Sequence, residues 1–273
     1  MIARRAWFAL MILLASTPIA ARGDDPPRAK ASTLGPREWT VDGVRREALV
    51  AVPEVTEGAP LVFVWHGHGG SMGQAARSFG IHALWPEAIV VYAQGLPTPG
   101  RLTDPEGKRP GWQSNSGGEG GDRDLKFFDA MRADLLRDLK ADPKKVYATG
   151  HSNGGRFTYL LWATRPDAIA AFAPTASPAA RRFPRMRPKP CLHLGGESDK
   201  IVPFASQKAT IDRLRALNHC DPEGKPWPPG GPTATIYPSS RKTPVITAIH
   251  PGGHQLPPAS GGQIAAFFRD QAR

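Results

Sequence analysis

Charge and long apolar runs are what this chain has least of. Charged residues make up 22% of its 273 positions against 40% hydrophobic, which excludes a wholly disordered chain and leaves enough apolar side chains for a sizeable core. Past the N-terminal region no stretch approaches the roughly 18 consecutive apolar residues that a membrane-spanning helix needs. Glycine and proline are plentiful, 29 of each, but they follow no three-residue period, so a collagen-like chain is excluded. There is no internal repeat, and H-E-x-x-H does not occur. Cysteine is limited to Cys191 and Cys220, neither in a recognisable nucleophile context.

Acidic residues are outnumbered, 24 against 35 Lys and Arg, giving a net charge of +11. Such a balance raises the question of nucleic acid. Three of the positive charges, Arg4, Arg5 and Arg22, fall in a leader pattern described next, and the rest are scattered. The densest run, Arg181 to Lys189, is broken by two prolines and has no interleaved aromatic ladder. It reads as a solvated loop or a contact with an acidic surface, and no nucleic-acid partner is expected.

MIARR followed by the apolar AWFALMILLA and then STPIAARG has the layout of a secretory signal peptide. Cleavage after Ala20, Ala21 or Gly23 fits equally, and residues 1–23 are taken as the leader. Residues 24–37 read as a flexible N-terminal segment and residues 38–273 as one catalytic domain. The expected location is secreted or periplasmic, with no membrane partner after cleavage. In an oxidising compartment the two cysteines suggest one disulfide, closing a loop of roughly 30 residues and stabilising by about 3–4 kcal/mol. The alternative is two buried thiols.

The hydrophobic pattern alternates strands with helices. Glu38–Val41 and Glu47–Pro53 open it. Leu61–Trp65 (LVFVW) and Ala88–Ala93 (AIVVYA) are short continuous apolar runs, the signature of strands buried on both faces. Asp124–Lys140 carries apolar residues at helical spacing. Lys145–Thr149, Ala168–Ala173, Cys191–Leu194 and Val245–Ile249 are further strands, with helices after Ser152, over Phe204–Leu217 and over Gly262–Arg273. The expected fold is α/β, a mostly parallel central sheet with helices on both faces. A long Gly- and Pro-rich insertion, Leu96–Gly121, interrupts the alternation; loops of that length are often functional.

Reactive groups in such sheets gather at the carboxyl ends of the strands. After KVYAT comes Gly150-His151-Ser152-Asn153-Gly154, which fits G-x-S-x-G: a tight strand-to-helix turn that exposes a serine oxygen. Gly69-Gly70-Ser71-Met72-Gly73 spells the same pattern, but Ser71 lies six residues beyond Trp65 and reads as a helix N-cap. Ser152 is therefore the candidate nucleophile. After LVFVW, His66-Gly67-His68-Gly69-Gly70 has the form of an oxyanion loop, assigning the backbone N–H of His68 and that of Asn153. H-x-H also occurs at zinc sites, but nothing nearby completes one, so neither metal nor cofactor is expected. After CLHL, Asp199 stands where a carboxylate would orient an imidazole, with Glu197 its competitor. After VITAI, His254 follows two glycines and is the candidate base; His250 is the alternative. The chain order Ser152, Asp199, His254 is the one expected of an α/β-hydrolase.

LVFVWHGHGG, GHSNGG, HLGGESDKIVP, Asn218–Cys220 and Gly252–His254 together resemble the polyhydroxybutyrate depolymerase and feruloyl esterase type of α/β-hydrolase, from about Glu38 to the C-terminus. The resemblance implies that fold, a Ser-His-Asp esterase acting on carboxylic esters, and a Cys191–Cys220 pairing. The implied substrates are feruloyl or acetyl esters of polysaccharides, or polyhydroxyalkanoate. A serine peptidase would use the same three residues, and an inactive hydrolase-fold binding protein is the reading from a different class. Relatives often continue the histidine motif as G-G-H-x-W-P, where this chain has Gly253-His254-Gln255-Leu256-Pro257. They also often carry a tryptophan-rich segment where this chain has Gly111-Trp112-Gln113-Ser114-Asn115, which makes Trp112 a candidate substrate-stacking residue, or else a loop tryptophan packed on the domain.

Overall fold

A hairpin of Thr33–Val41 (β1) and Val44–Val52 (β2) opens the computed structural model, which describes residues 33–100, 104–118, 121–179 and 184–272. The expected leader, residues 1–23, and part of the basic run lie outside these. Strand β1 pairs with β2 along its whole length, from Thr33↔Val52 to Val41↔Val44. Residues 33–37, which the sequence assigns to a flexible segment, are thus strand. Pro36 obscured it, and Pro36 is tolerated because β1 is an edge strand.

The chain continues through Leu61–Trp65 (β3), helices Met72–Phe79 (α1) and Ile81–Leu84 (α2), and Ile89–Ala93 (β4). A small hairpin, Leu96–Pro97 (β5) with Pro110–Gly111 (β6), lies in the long insertion. Then come Arg123–Asp138 (α3), Val146–His151 (β7), Asn153–Thr164 (α4), Ala171–Thr175 (β8), Cys191–Gly196 (β9) and Phe204–Leu217 (α5). Lys225–Pro226 (β10), Ala234–Tyr237 (β11), Val245–His250 (β12) and Ser260–Gln271 (α6) complete it. The main sheet has ten strands in the order β1-β2-β4-β3-β7-β8-β9-β12-β11-β10. From β4 to β12 neighbouring strands run parallel, so their carboxyl ends share one edge.

Alternation along β3 divides the core. Phe63 and Trp65 face one side, with Phe128 of α3 and Phe157 and Trp162 of α4. Val62 and Val64 face the other, with Phe79 of α1 and Phe267 and Phe268 of α6. All five residues of β3 and of β4 are buried, as their unbroken apolar runs require. Each large apolar side chain so enclosed contributes about 2–3 kcal/mol. Among the described residues no helix is long and apolar enough to cross a membrane.

Two expectations change here. The strand expected at Ala168–Ala173 sits at Ala171–Thr175, running through Pro174. It pairs with β9 at Phe172↔Cys191 and Thr175↔Leu194, and Pro174, which lacks an N–H, falls between. Cys191 and Cys220 are both free thiols, so the expected disulfide is not formed. Burial pushes both thiols above their usual range, Cys191 the further, and keeps them protonated.

Candidate active site

Strand β7 delivers Ser152 to the carboxyl edge of the sheet, and α4 begins at the next residue. Ser152 sits at φ 55°, ψ −113°, a conformation that costs a non-glycine residue of order 1–3 kcal/mol. Two glycines make the turn possible. A Cβ on Gly150 would lie 2.6 Å from the Gly154 backbone, and one on Gly154 would lie 2.3 Å from the Trp65 carbonyl oxygen. The Ser152 N–H donates to the Thr175 carbonyl (3.0 Å), fastening the turn to β8.

Strands β9 and β12 lie side by side, and the loops that follow them are bonded together. Glu197 N–H donates to the His250 carbonyl (2.9 Å) and Ser198 N–H to the Gly252 carbonyl (3.0 Å). Gly196 must lack a side chain, since a Cβ there would lie 2.2 Å from the Gly253 carbonyl oxygen. This brings Asp199 and His254 together. His254 Nδ1 lies 2.7 Å from Asp199 Oδ2, and its Nε2 lies 2.8 Å from Ser152 Oγ. A carboxylate only accepts, so Nδ1 carries the proton and Nε2 is free to accept from the serine hydroxyl. Glu197 is exposed and its side chain takes no part; His250 Nδ1 accepts the Gly252 N–H instead (3.1 Å).

Asp199 is buried, and burial by itself would raise its pKa. The hydrogen bond from His254 and the backbone N–H groups of Val202 (2.8 Å) and Ile201 (2.9 Å) outweigh that and hold it below the usual carboxylate range. His151, beside the serine, is pushed down to about 4 by burial first and by neighbouring His254 second, so it stays neutral. Its ring is centred 5.0 Å from that of His254, and its Nδ1 lies 3.0 Å from Thr175 Oγ1.

The loop after β3 approaches the serine from the other side. A Cβ on Gly67 would lie 3.7 Å from Ser152 Cβ. Among the described residues, the backbone N–H groups of His68, in this loop, and of Asn153, at the start of α4, have no hydrogen-bond acceptor. The neighbouring His66 is neutral: Nδ1 donates to the Gly67 carbonyl (2.7 Å) and Nε2 accepts the Gly95 N–H (3.0 Å). His68 Nε2 meets Asp104 Oδ2 (3.2 Å) in the insertion. The two rings of H-x-H thus serve different partners.

Trp112 is not a stacking platform. It is fully buried, its Nε1 donates to the His66 carbonyl (2.9 Å), and its ring stacks on Phe157 (5.5 Å) with its edge against Trp65 (5.0 Å). A ring so enclosed has no face for a ligand. Its backbone is read by the Asn153 side chain, whose Oδ1 accepts the Trp112 N–H (2.7 Å) while Nδ2 donates to the Trp112 carbonyl (3.0 Å). Next to it, the Gln113 N–H donates to Asp124 Oδ2 (2.7 Å), and buried Arg46 holds Asp124 Oδ1 (2.8 Å). Ser71 caps α1, accepting the Gln74 N–H (3.2 Å). Thr175, Asn153 as a side chain, and Gln207, which meets Asp199, are site residues that the motifs did not reveal.

No family model matches the chain. It is 33% identical over 200 residues to a protein of Nocardia uniformis subsp. tsuyamanensis named as esterase NocK, over 69% of this chain and 54% of that one. The chain therefore spans about half the length of that relative. It is 26% identical over 269 residues to a protein named feruloyl esterase C from Aspergillus clavatus, over 94% of this chain and 93% of that one. An acetyl xylan esterase from Aspergillus awamori superimposes with a TM-score of 0.64 at 15% identity, covering 86% of this chain and 99% of its own. The fold is that of the α/β-hydrolases.

Proposed function

We propose that this chain, an α/β-hydrolase of the esterase kind, hydrolyses carboxylic esters through an acyl-enzyme on Ser152. His254 Nε2 takes the hydroxyl proton as Ser152 Oγ attacks the ester carbonyl. The N–H groups of His68 and Asn153 receive the oxyanion. The alcohol leaves with the proton returned by His254, and water, activated in the same way, then releases the acid. Asp199 keeps the proton on Nδ1 and offsets the positive charge that His254 acquires. Nothing in this cycle calls on a metal or cofactor.

The observation that carries this reading is the hydrogen-bonded series Asp199–His254–Ser152 ending on a serine at positive φ. The names of the relatives favour esters borne on polysaccharide, feruloyl or acetyl, as the substrate class, and the leader-like N-terminus favours export. Turnover of p-nitrophenyl acetate is the test. Ser152→Ala is expected to lower kcat by about 10⁴-fold or more. Equal turnover by wild type and Ser152→Ala would refute the assignment. Feruloyl and acetyl xylan oligosaccharides then test the substrate class, and failure to release either acid would remove it while leaving the esterase chemistry intact.

A further inference from the structure

We propose that Gln207 is a positioning residue for Asp199, held in place by His193 and Tyr159 through a buried relay that leads from the core of the domain to the serine. The inference rests on the reading of Asp199 as the acid of the site. Gln207, in α5, is fully buried, as are His193 in β9 and Tyr159 in α4. Gln207 Nε2 lies 2.9 Å from the Val202 carbonyl oxygen and 3.2 Å from Asp199 Oδ2. Both are acceptors, so the atom facing them must be the amide nitrogen, and the side chain has one permitted orientation.

That orientation propagates. Gln207 Oε1 faces His193 Nε2 at 3.3 Å, so Nε2 carries the imidazole proton. His193 Nδ1 is then an acceptor, and the Tyr159 hydroxyl, 2.8 Å away, donates to it. Burial pushes His193 down to about 4, against a smaller opposing effect of the Gln207 hydrogen bond, so the neutral form this series needs is present at neutral pH. From Tyr159 to His193 to Gln207 to Asp199, every donor points toward the carboxylate. The backbone makes room for it: a Cβ on Gly195 would lie 2.5 Å from Gln207 Oε1.

The two carboxylate oxygens are held differently. Oδ1 accepts the N–H groups of Ile201 and Val202, which belong to the same loop. Oδ2 accepts from His254 and from Gln207. Gln207 is therefore the side chain that ties the oxygen facing the histidine to the rest of the domain. Without it, Asp199 is fixed only by its own loop, and the His254 ring loses a defined partner position.

The test is a double-mutant cycle in p-nitrophenyl acetate hydrolysis, with thermal unfolding of each variant measured alongside. Gln207→Met keeps the shape and removes the amide; it is expected to lower kcat by about 10- to 100-fold with KM changed less than about twofold. Tyr159→Phe removes one hydroxyl at the far end of the relay and is expected to lower kcat by about threefold. In an Asp199→Ala background both losses should shrink to less than about twofold, because the group they act through is gone. Losses that persist in full in that background would mean a general packing role and would overturn the proposal. So would wild-type kcat in both single variants while Asp199→Ala alone loses activity. If Gln207→Met does not fold, the Tyr159→Phe cycle decides on the same criteria. Wild-type kcat in Asp199→Ala would instead overturn the reading of the acid, and the positioning role with it.

Discussion

The two walls around Ser152 are built in opposite ways. On the acid–base side, Asp199 and His254 stand on loops that directly follow adjacent strands, and side chains bond to side chains, 2.7 and 2.8 Å apart. On the proposed oxyanion side, the donors would be the backbone N–H groups of His68 and Asn153, while the side chains of those two residues grip the insertion at Asp104 and the Trp112 backbone. The acid–base wall is fixed by the sheet. The oxyanion wall is fixed by a loop that is itself fixed by Trp112, Gln113 and the buried Arg46–Asp124 pair. Chemistry on the first wall should therefore be sensitive to single polar atoms, and on the second to the packing of apolar bulk.

That contrast can be broken at several strengths. His254→Ala should give the largest effect, a loss of about 10⁴-fold or more in kcat with the unfolding temperature little changed, as read in parallel kinetic and thermal assays. Trp112→Ala should act the other way round. Emptying that buried site is expected to cost about 3–5 kcal/mol in urea unfolding, and to lower kcat by loosening Asn153. A Trp112→Ala protein of wild-type stability with only KM raised would mean that the ring serves substrate after all.

Acid should weaken the wall behind Asp199. His193 is neutral in the folded protein down to about 4, whereas an exposed histidine protonates near 6.5, so the unfolded chain binds the extra proton first. Its contribution is complete above about pH 6.5 and is lost as pH falls toward 4, by roughly 3 kcal/mol in all; His151 adds to the slope in the same direction. Urea midpoints at pH 7 and pH 5 measure it, and a His193→Gln variant should show a shallower decline. The smallest effect concerns the cysteines. Titration of the unfolded, unreduced protein should find two thiols per chain, and reductant should leave the unfolding temperature unchanged; no free thiol would mean that Cys191 and Cys220 are joined.

The same division explains what could be read from the residues alone. Ser152, Asp199 and His254 each follow a short apolar strand, and a strand that ends in glycines announces a loop, so their chain positions were legible. Trp112 was not, because the chemistry of an indole is the same in a loop that faces solvent and in one folded back onto Phe157. Pro36 and Pro174 hid strand residues, since proline is read as a terminator and both positions lie where a ladder can spare an N–H. Gln207 carried no signal at all. It lies in the first turn of α5, three residues after Phe204, and only the packing of α5 on β9 sets its amide against Asp199.

The most direct test of the central claim is to treat the protein with a fluorophosphonate and locate the adduct by peptide mass mapping. A serine activated by His254 should be labelled at Ser152 alone, and His254→Ala should abolish the labelling. An adduct on Ser71, or labelling of Ser152 that is undiminished in His254→Ala, would contradict the account.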